Sequence, residues 1–254
     1  MKVLGIDIGG SGVKGALVDT NLGELVTKRK RYATPKSLMP ADVLPVVRRV
    51  VDHFDYHGPV GVGFPAVVMN GAPRTPFTAH HVMEWVGFPV AEKLGEMTGR
   101  EVTMLNDADA AGVAEMAFGA GRGIKGTVLL LTLGTGIGSA LFVDGVLVPN
   151  TELGAIYLKG HNAYVEQYAA DRVRDEEDLN WKAYAHRLDE YVSYLNHLLR
   201  PQLIIIGGGV SKKHKRFLPR LTVDTEVVPA QLRNEAGIIG AAVAAGRNWL
   251  AELS

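Results

Sequence analysis

Two short runs of glycine and hydroxyl residues are the places where this chain can do chemistry. Gly9-Gly10-Ser11-Gly12 follows the apolar run Lys2–Ile8, which carries Asp7 near its end, and leads into Val13–Asp19, which carries Lys14. Leu133-Gly134-Thr135-Gly136-Ile137-Gly138 repeats the device between Gly126–Leu133 and Ser139–Val143. The flanking runs read as strands, so each cluster reads as a glycine turn in a hairpin. Glycine permits φ > 0 and close approach, so the amides of such a turn can converge on phosphate oxygens. Ser11, Thr135 and Ser139 can add hydroxyl donors, and Lys14 a point charge. Either turn alone reads as an ordinary hairpin. Two of them, with a third cluster at Gly207-Gly208-Gly209 after the apolar Leu203–Ile206, favour a bound phosphoryl group.

Two familiar phosphate motifs are excluded by context. Gly10-Ser11-Gly12-Val13-Lys14-Gly15 matches G-x-G-x-x-G, but that fingerprint needs a helix to open at its end, and Gly15–Asp19 reads as strand. No G-x-x-x-x-G-K-[ST] occurs. Asp7 would repel phosphate unless Mg²⁺ lay between them, so it reads as a metal ligand through water; the plainer reading is a turn-capping Asp.

The elements that must position these residues recur. Lys2–Ile8, Val13–Asp19 and Glu24–Tyr32 read as a meander of three strands. Ala41–His53, Val90–Met97, Ala108–Ala117, Leu179–Leu199 and Glu235–Leu250 read as helices, and Val60–Phe64, Glu101–Leu105, Val146–Val148 and Leu203–Ile206 as strands. The strand–glycine–strand plan therefore appears twice, which predicts an internal duplication into two lobes. The expected boundaries are residues 1–110 and 111–239, with a closing helix at 240–254 packing back on the first lobe.

Composition narrows the classes. Lys+Arg and Asp+Glu both number 27, so a wholesale polyanion-binding face is excluded and any basic site must be local. No cysteine is present, which removes disulfides, thiolate catalysis and Cys-ligated zinc and fits a reducing cytoplasm. The apolar runs are too short for membrane spans, and Met1–Asp7 does not read as a secretory signal. Lys28-Arg29-Lys30-Arg31 reads as an exposed face. Lys212-Lys213-His214-Lys215-Arg216 reads equally as a solvated helix start or a track for a long polyanion, and neither run indicates nucleic acid.

Asp7–Gly15, Gly61-Val62-Gly63-Phe64-Pro65-Ala66, Asn106-Asp107-Ala108-Asp109-Ala110-Ala111-Gly112, Leu133–Gly138, Glu152-Leu153-Gly154, Gly207–Lys212 and Asn234–Ala242 follow one another as in ROK-family sugar kinases, which the chain resembles over nearly its whole length. Its cysteine-free pattern is similar to the polyphosphate glucokinase branch. The resemblance implies an α/β, actin-like ATPase (hexokinase-like, ribonuclease H-like) duplicated fold with a central cleft. It implies hexose phosphorylation, glucose first, from polyphosphate or ATP with Mg²⁺, without structural zinc, in a cytoplasmic homodimer. Asp107 would be the general base. Gly63, Pro65, Asn106 and Glu152 would contact the sugar. Gly9, Gly10, Ser11, Gly12, Lys14, Gly134, Thr135, Gly136, Gly138, Gly208 and Gly209 would hold the donor, with Asp7 on the metal. An alternative reading of Asn106-Asp107 is a helix N-cap, which is compatible with a site role. Asp109 reads as a first-turn partner of the helix dipole.

The acceptor segment departs from the family. Where a His and a Glu are expected after Glu152-Leu153-Gly154, the chain has Ala155 and Tyr157. Losing two charge-assisted hydrogen bonds of about 1.5–3 kcal/mol each would cost two to four orders of magnitude in rate. His80, His81 or His161 could supply the missing contacts. The other readings are an acceptor pocket rebuilt for another hydroxyl, a weak kinase, or a catalytically silent ligand sensor. The absence of an N-terminal DNA-binding extension argues against a repressor.

Overall fold

The computed structural model describes residues 1–77 and 82–246. Strand β1 (Lys2–Gly9) and strand β2 (Gly12–Asp19) form an antiparallel hairpin with Gly9 opposite Gly12 and Asp7 opposite Lys14. The expected third strand is two pieces, β3 (Glu24–Leu25) and β4 (Lys30–Tyr32), each paired with β2. The cause is local. The Leu17 amide donates to the Thr27 hydroxyl at 3.0 Å instead of to a backbone carbonyl, so the ladder is interrupted there. Helix α1 (Pro40–His53) follows, its apolar stripe of Val43, Val47, Val50 and Val51 buried, with Pro40 opening it where the missing N–H costs nothing.

Strand β5 (Val60–Phe64), the short pair β6 (Val68–Met69) and β7 (Ala72–Pro73), helix α2 (Val90–Thr98), strand β8 (Val102–Asn106) and helix α3 (Asp107–Phe118) complete this part of the chain. The main sheet runs β3-β2-β1-β5-β8, with β1, β5 and β8 parallel. The closing helix, Ala236–Gly246, lies on it. A side chain at Gly5 would come within 2.0 Å of the Ile238 carbonyl, and one at Gly61 within 1.8 Å of that of Ala241. The small residues of sheet and helix thus let two backbones meet. Phe64, Phe77 and Trp85 form an aromatic knot beneath, the Trp85 indole donating to the Leu38 carbonyl at 2.6 Å.

A second sheet runs β11-β10-β9-β12-β13, from β9 (Thr127–Leu133), β10 (Ile137–Val143), β11 (Val146–Val148), β12 (Leu203–Gly207) and β13 (Glu226–Pro229). Helices α4 (Glu166–Ala169), α5 (Asp171–Glu176) and α6 (Trp181–Leu199) accompany it. Asn180 caps α6 by accepting from Lys182 and Ala183, and α6 buries Tyr184, Leu188, Tyr191 and Leu195. The fully buried Glu115 carboxylate is satisfied by the amides of Ala120, Gln231 and Leu232. By contact density the chain divides into two compact units: Met1–Ala114 with Glu235–Ser254, and Glu115–Asn234. Among the described residues, no helix is long and apolar enough to cross a membrane.

Candidate active site

In the first unit the parallel strands deliver the candidate residues to one edge of the sheet. Asp7 pairs with Gly63 across β1 and β5, and Phe64 pairs with Asn106 across β5 and β8. Asp7 and Asn106 are therefore two strands apart, about 10 Å. The carboxyl ends of parallel strands are where open α/β sheets bind ligands. Gly63 keeps that edge low: a side chain there would meet Ala110 and the Cα of Asp107 at 3.6 and 3.8 Å.

Asn106 is the helix cap. Its Oδ1 accepts from the amides of Ala108 at 2.8 Å and Asp109 at 3.1 Å, and its Nδ2 donates to the Ala66 carbonyl at 3.1 Å. It is 8% exposed, so its part is to fix the turn Pro65-Ala66 against the start of α3. Asp107 opens that helix half-buried, its Oδ1 accepting from the Ala108 amide at 2.8 Å. Asp109 is buried.

The first glycine turn is held from outside. Lys14 Nζ lies 3.1 Å from Asp7 Oδ2, so carboxylate and ammonium neutralise each other beside it. The Thr34 hydroxyl donates to the Gly9 carbonyl at 2.6 Å, and Arg31 Nη2 to the Ser11 carbonyl at 2.5 Å. Arg31 lies directly over Gly12, where a Cβ would come within 2.5 Å of its Nε. Arg31 is therefore part of this turn and not a bare exposed face. The run Lys28–Arg31 is interrupted, and only its last two residues enter β4.

In the second unit the turn joining β9 to β10 is held differently. The Arg172 amide donates to the Gly134 carbonyl and its Nε to the Thr135 carbonyl, both at 3.0 Å, while its Nη1 reaches Glu176 at 2.7 Å. Glu166 accepts from the Ile137 amide at 3.4 Å. A side chain at Gly136 would lie 2.7 Å from the same carboxylate oxygen. Gly208 has φ 78° and ψ −178°, and a Cβ there would strike the Leu133 backbone at 2.2 Å. Side chains at Gly12 and Gly136 would thus crowd the movable ends of Arg31 and Glu166, and one at Gly208 would crowd backbone itself. Gly9, Gly134 and Gly209 are not crowded in this way: their φ is not positive, and a Cβ would meet only one carbonyl at 3.4 Å at Gly9 and nothing within 4 Å at the other two. Bare backbone that neither packing nor conformation requires suits an external ligand.

Gly10 and Ser11 form the tip of the first turn, and Gly138 pairs with Thr132. Ser139, expected to offer a hydroxyl to a ligand, is 2% exposed and bonds to Thr151 and the Leu153 amide. It braces the acceptor segment instead. A groove of about 350 Å³ beside the second turn is lined by Gly134, Thr135, Asp171, Arg172, Asp175 and Glu176, whose carboxylates suit hydroxyl or amine groups better than phosphates.

The acceptor segment begins at Glu152. Glu152 is an exposed residue; partial burial of its carboxylate, and then the neighbouring Glu166 charge, raise its pKa above the usual glutamate value. Ala155 is exposed and ends a 3₁₀ turn, Leu153–Ala155. Tyr157 is exposed, its ring tilted against that of Tyr164 with centroids 4.9 Å apart. His161 is held by Glu190 at 3.0 Å, so it is not a spare ligand for a sugar. His80 and His81 lie outside the described residues. Lys212–Arg216 lie in a 3₁₀ stretch, Gly209–Arg216, not in an α-helix. Among the described residues, no group of three or more His, Cys, Asp or Glu is placed to hold a metal.

Two sheets with strand–glycine-turn–strand hairpins, each flanked by parallel strands, are the plan of the actin-like ATPase and sugar kinase fold. Residues 3–162 match the ROK family, and the chain belongs to it. It is 43% identical over 241 residues to the polyphosphate glucokinase of Mycobacterium tuberculosis, covering 94% of this chain and 89% of that protein. It is 26% identical to the glucokinase of Thermotoga maritima, over 95% of this chain and 96% of that one. Among solved structures it superimposes on the inorganic polyphosphate/ATP-glucomannokinase of Arthrobacter sp. strain KM with TM-score 0.91 and 43% identity, covering 97% and 99% of the two chains. A ROK glucokinase of Streptomyces griseus, 24% identical, shares the fold with TM-score 0.80, covering 97% and 100%.

Proposed function

We propose that this protein is a sugar kinase that transfers a phosphoryl group from inorganic polyphosphate or ATP to a hexose hydroxyl, glucose first, as a cytoplasmic homodimer. The observation that carries the reading is the sheet edge at Asp7, Gly63 and Asp107, beside a bare glycine turn that bears Lys14. Phosphoryl transfer asks little covalent chemistry of a protein; it asks for positioning and charge neutralisation. Asp107 accepts the proton of the attacking hydroxyl. The turn amides and Lys14 hold donor oxygens, and Asn106 fixes the helix start that carries the base.

The donor set fits Mg²⁺. One Asp7 oxygen is taken by Lys14, the other is open to a hydrated ion, and Mg²⁺ commonly combines one or two carboxylates with waters and substrate phosphates. Bound there, Mg²⁺ would neutralise charge on the donor. The 43% identical relatives are named as kinases, which favours turnover over the silent sensor.

The test is sugar phosphate formation from a hexose panel with Mg²⁺ and either polyphosphate or ATP. The expected result is turnover by the wild-type chain and a loss of about 10²–10⁴-fold in Asp107→Ala, the usual worth of a positioned general base. Wild-type turnover that survives Asp107→Ala removes the assigned base. No turnover with any hexose and either donor removes the kinase.

A further inference from the structure

A glycine turn binds phosphate with its amides, and its own carbonyl oxygens work against it. Amides attract a phosphoryl oxygen and carbonyls repel it, so the carbonyls must be turned aside. In a planar trans peptide the C=O of one residue and the N–H of the next point to opposite sides, so fixing a carbonyl aims the following amide. The first turn is fixed in this way by one segment, β4 and the residues that follow it. The Thr34 hydroxyl donates to the Gly9 carbonyl at 2.6 Å, and Arg31 Nη2 to the Ser11 carbonyl at 2.5 Å. Holding the Gly9 carbonyl aims the Gly10 amide away from Thr34.

That segment is itself held at both ends. Tyr32 pairs with Val13 of β2, and its ring lies under the Arg49 guanidinium of α1 at 4.5 Å. Leu38 is buried, and its carbonyl accepts from the Trp85 indole at 2.6 Å. Between them, Pro35 pushes the backbone of Thr34 toward the extended region, and a β-branched side chain there has few rotamers. The second turn reaches the same end with other residues. The amide and Nε of Arg172 hold the Gly134 and Thr135 carbonyls, which aims the Thr135 and Gly136 amides.

We propose that Thr34 is a positioning residue for the phosphoryl donor: its hydroxyl holds the Gly9 carbonyl back so that the Gly10 amide meets a donor oxygen. The inference rests on the kinase reading and on the first turn as a donor contact. Thr34 carries no charge, so it separates the geometry of the turn from the charges of Lys14 and Arg31.

Steady-state kinetics of Thr34→Val and Thr34→Ser on the full chain, with polyphosphate of fixed length and with ATP, tests this. The expected result for Thr34→Val is a donor KM raised about threefold to tenfold with both donors, the worth of one hydrogen bond. The hexose KM stays within about twofold, and the dependence of donor KM on salt is that of the wild type, because no charge is lost. Thr34→Ser keeps the hydroxyl and recovers most of the loss. A donor KM unmoved in Thr34→Val overturns the proposal. So does a Thr34→Ser as impaired as Thr34→Val, or a hexose KM that rises in step with the donor KM, either of which makes Thr34 a general brace. Calorimetric titration with tripolyphosphate and Mg²⁺ reads the same contact without turnover. A wild type inactive on every hexose therefore removes the kinase reading, while the ratio of Kd between Thr34→Val and wild type still decides Thr34: a threefold to tenfold rise supports the proposal and an equal Kd overturns it.

Discussion

The two glycine turns share a plan but use opposite means. In the first, charge is built in: Lys14 and Asp7 face each other two residue pairs in from the Gly9–Gly12 closure, and Arg31 caps the tip. In the second, the pair two in from the Leu133–Ile137 closure is Leu131 and Ser139, with no charge, and the loop is one residue longer. Its shape is set by backbone contacts to Arg172 and by Glu166. Arg172 is itself paired with Glu176, so little of its charge is left for a ligand. The comparison teaches that a duplicated device need not bind twice in the same way. The first turn sets its amides beside a paired cation and carboxylate and under Arg31, while the second is shaped mainly by backbone contacts.

The largest test of this contrast is Lys14→Ala. It deletes a cation and leaves Asp7 to repel the donor, so kcat/KM for the donor should fall by about 10- to 100-fold. Equal kinetics would place the donor's charge elsewhere.

Next in size is a pair in the second unit. Gly208→Ala forces a conformation that is essentially glycine's alone, costing about 1–3 kcal/mol before the clash with Leu133 is counted, and Tm should drop by several degrees. Gly134→Ala meets nothing, so Tm should hold while donor KM rises. A reversed pattern in melting and kinetics would erase the distinction between structural and ligand-facing glycines.

Smaller still, Arg31→Ala should raise donor KM about threefold to tenfold and flatten its salt dependence, whereas Arg172→Ala should leave the salt dependence intact. Like salt slopes for the two variants would make the turns equivalent.

The smallest effect concerns pH. Glu152 has a raised pKa, so it loses its charge at a higher pH than an ordinary glutamate as acid is added. Hexose kcat/KM should therefore begin to fall early on the acid side, and Glu166→Gln should move that limb to lower pH by removing the charge that contributes to the shift. An acid limb that stays in place would separate the two carboxylates.

Much of the frame was legible in the sequence because it is local. Apolar runs broken by glycine gave the two hairpins, and the order of motifs gave the family. The contacts that shape the turns were not legible, because their partners come from afar: Arg31 bonds Ser11 across 20 residues, Glu166 reaches Ile137 across 29, and Arg172 reaches Thr135 across 37. Ser139 shows the converse error. Its spacing suited a ligand, but strand alternation turned it inward to Thr151. The split of the third strand at Thr27 was also hidden, since a hydroxyl replacing a ladder carbonyl leaves no periodic signal.

The central claim is that the donor side is intact while the acceptor grip has been rewired. Kinetics of the Ala155→His/Tyr157→Glu double variant against the wild type, with hexose and donor each varied at saturating partner, tests it most directly. The expected result is a kcat/KM for glucose that rises by about tenfold, with donor KM unchanged. A shifted donor KM with unaltered glucose kinetics would contradict it.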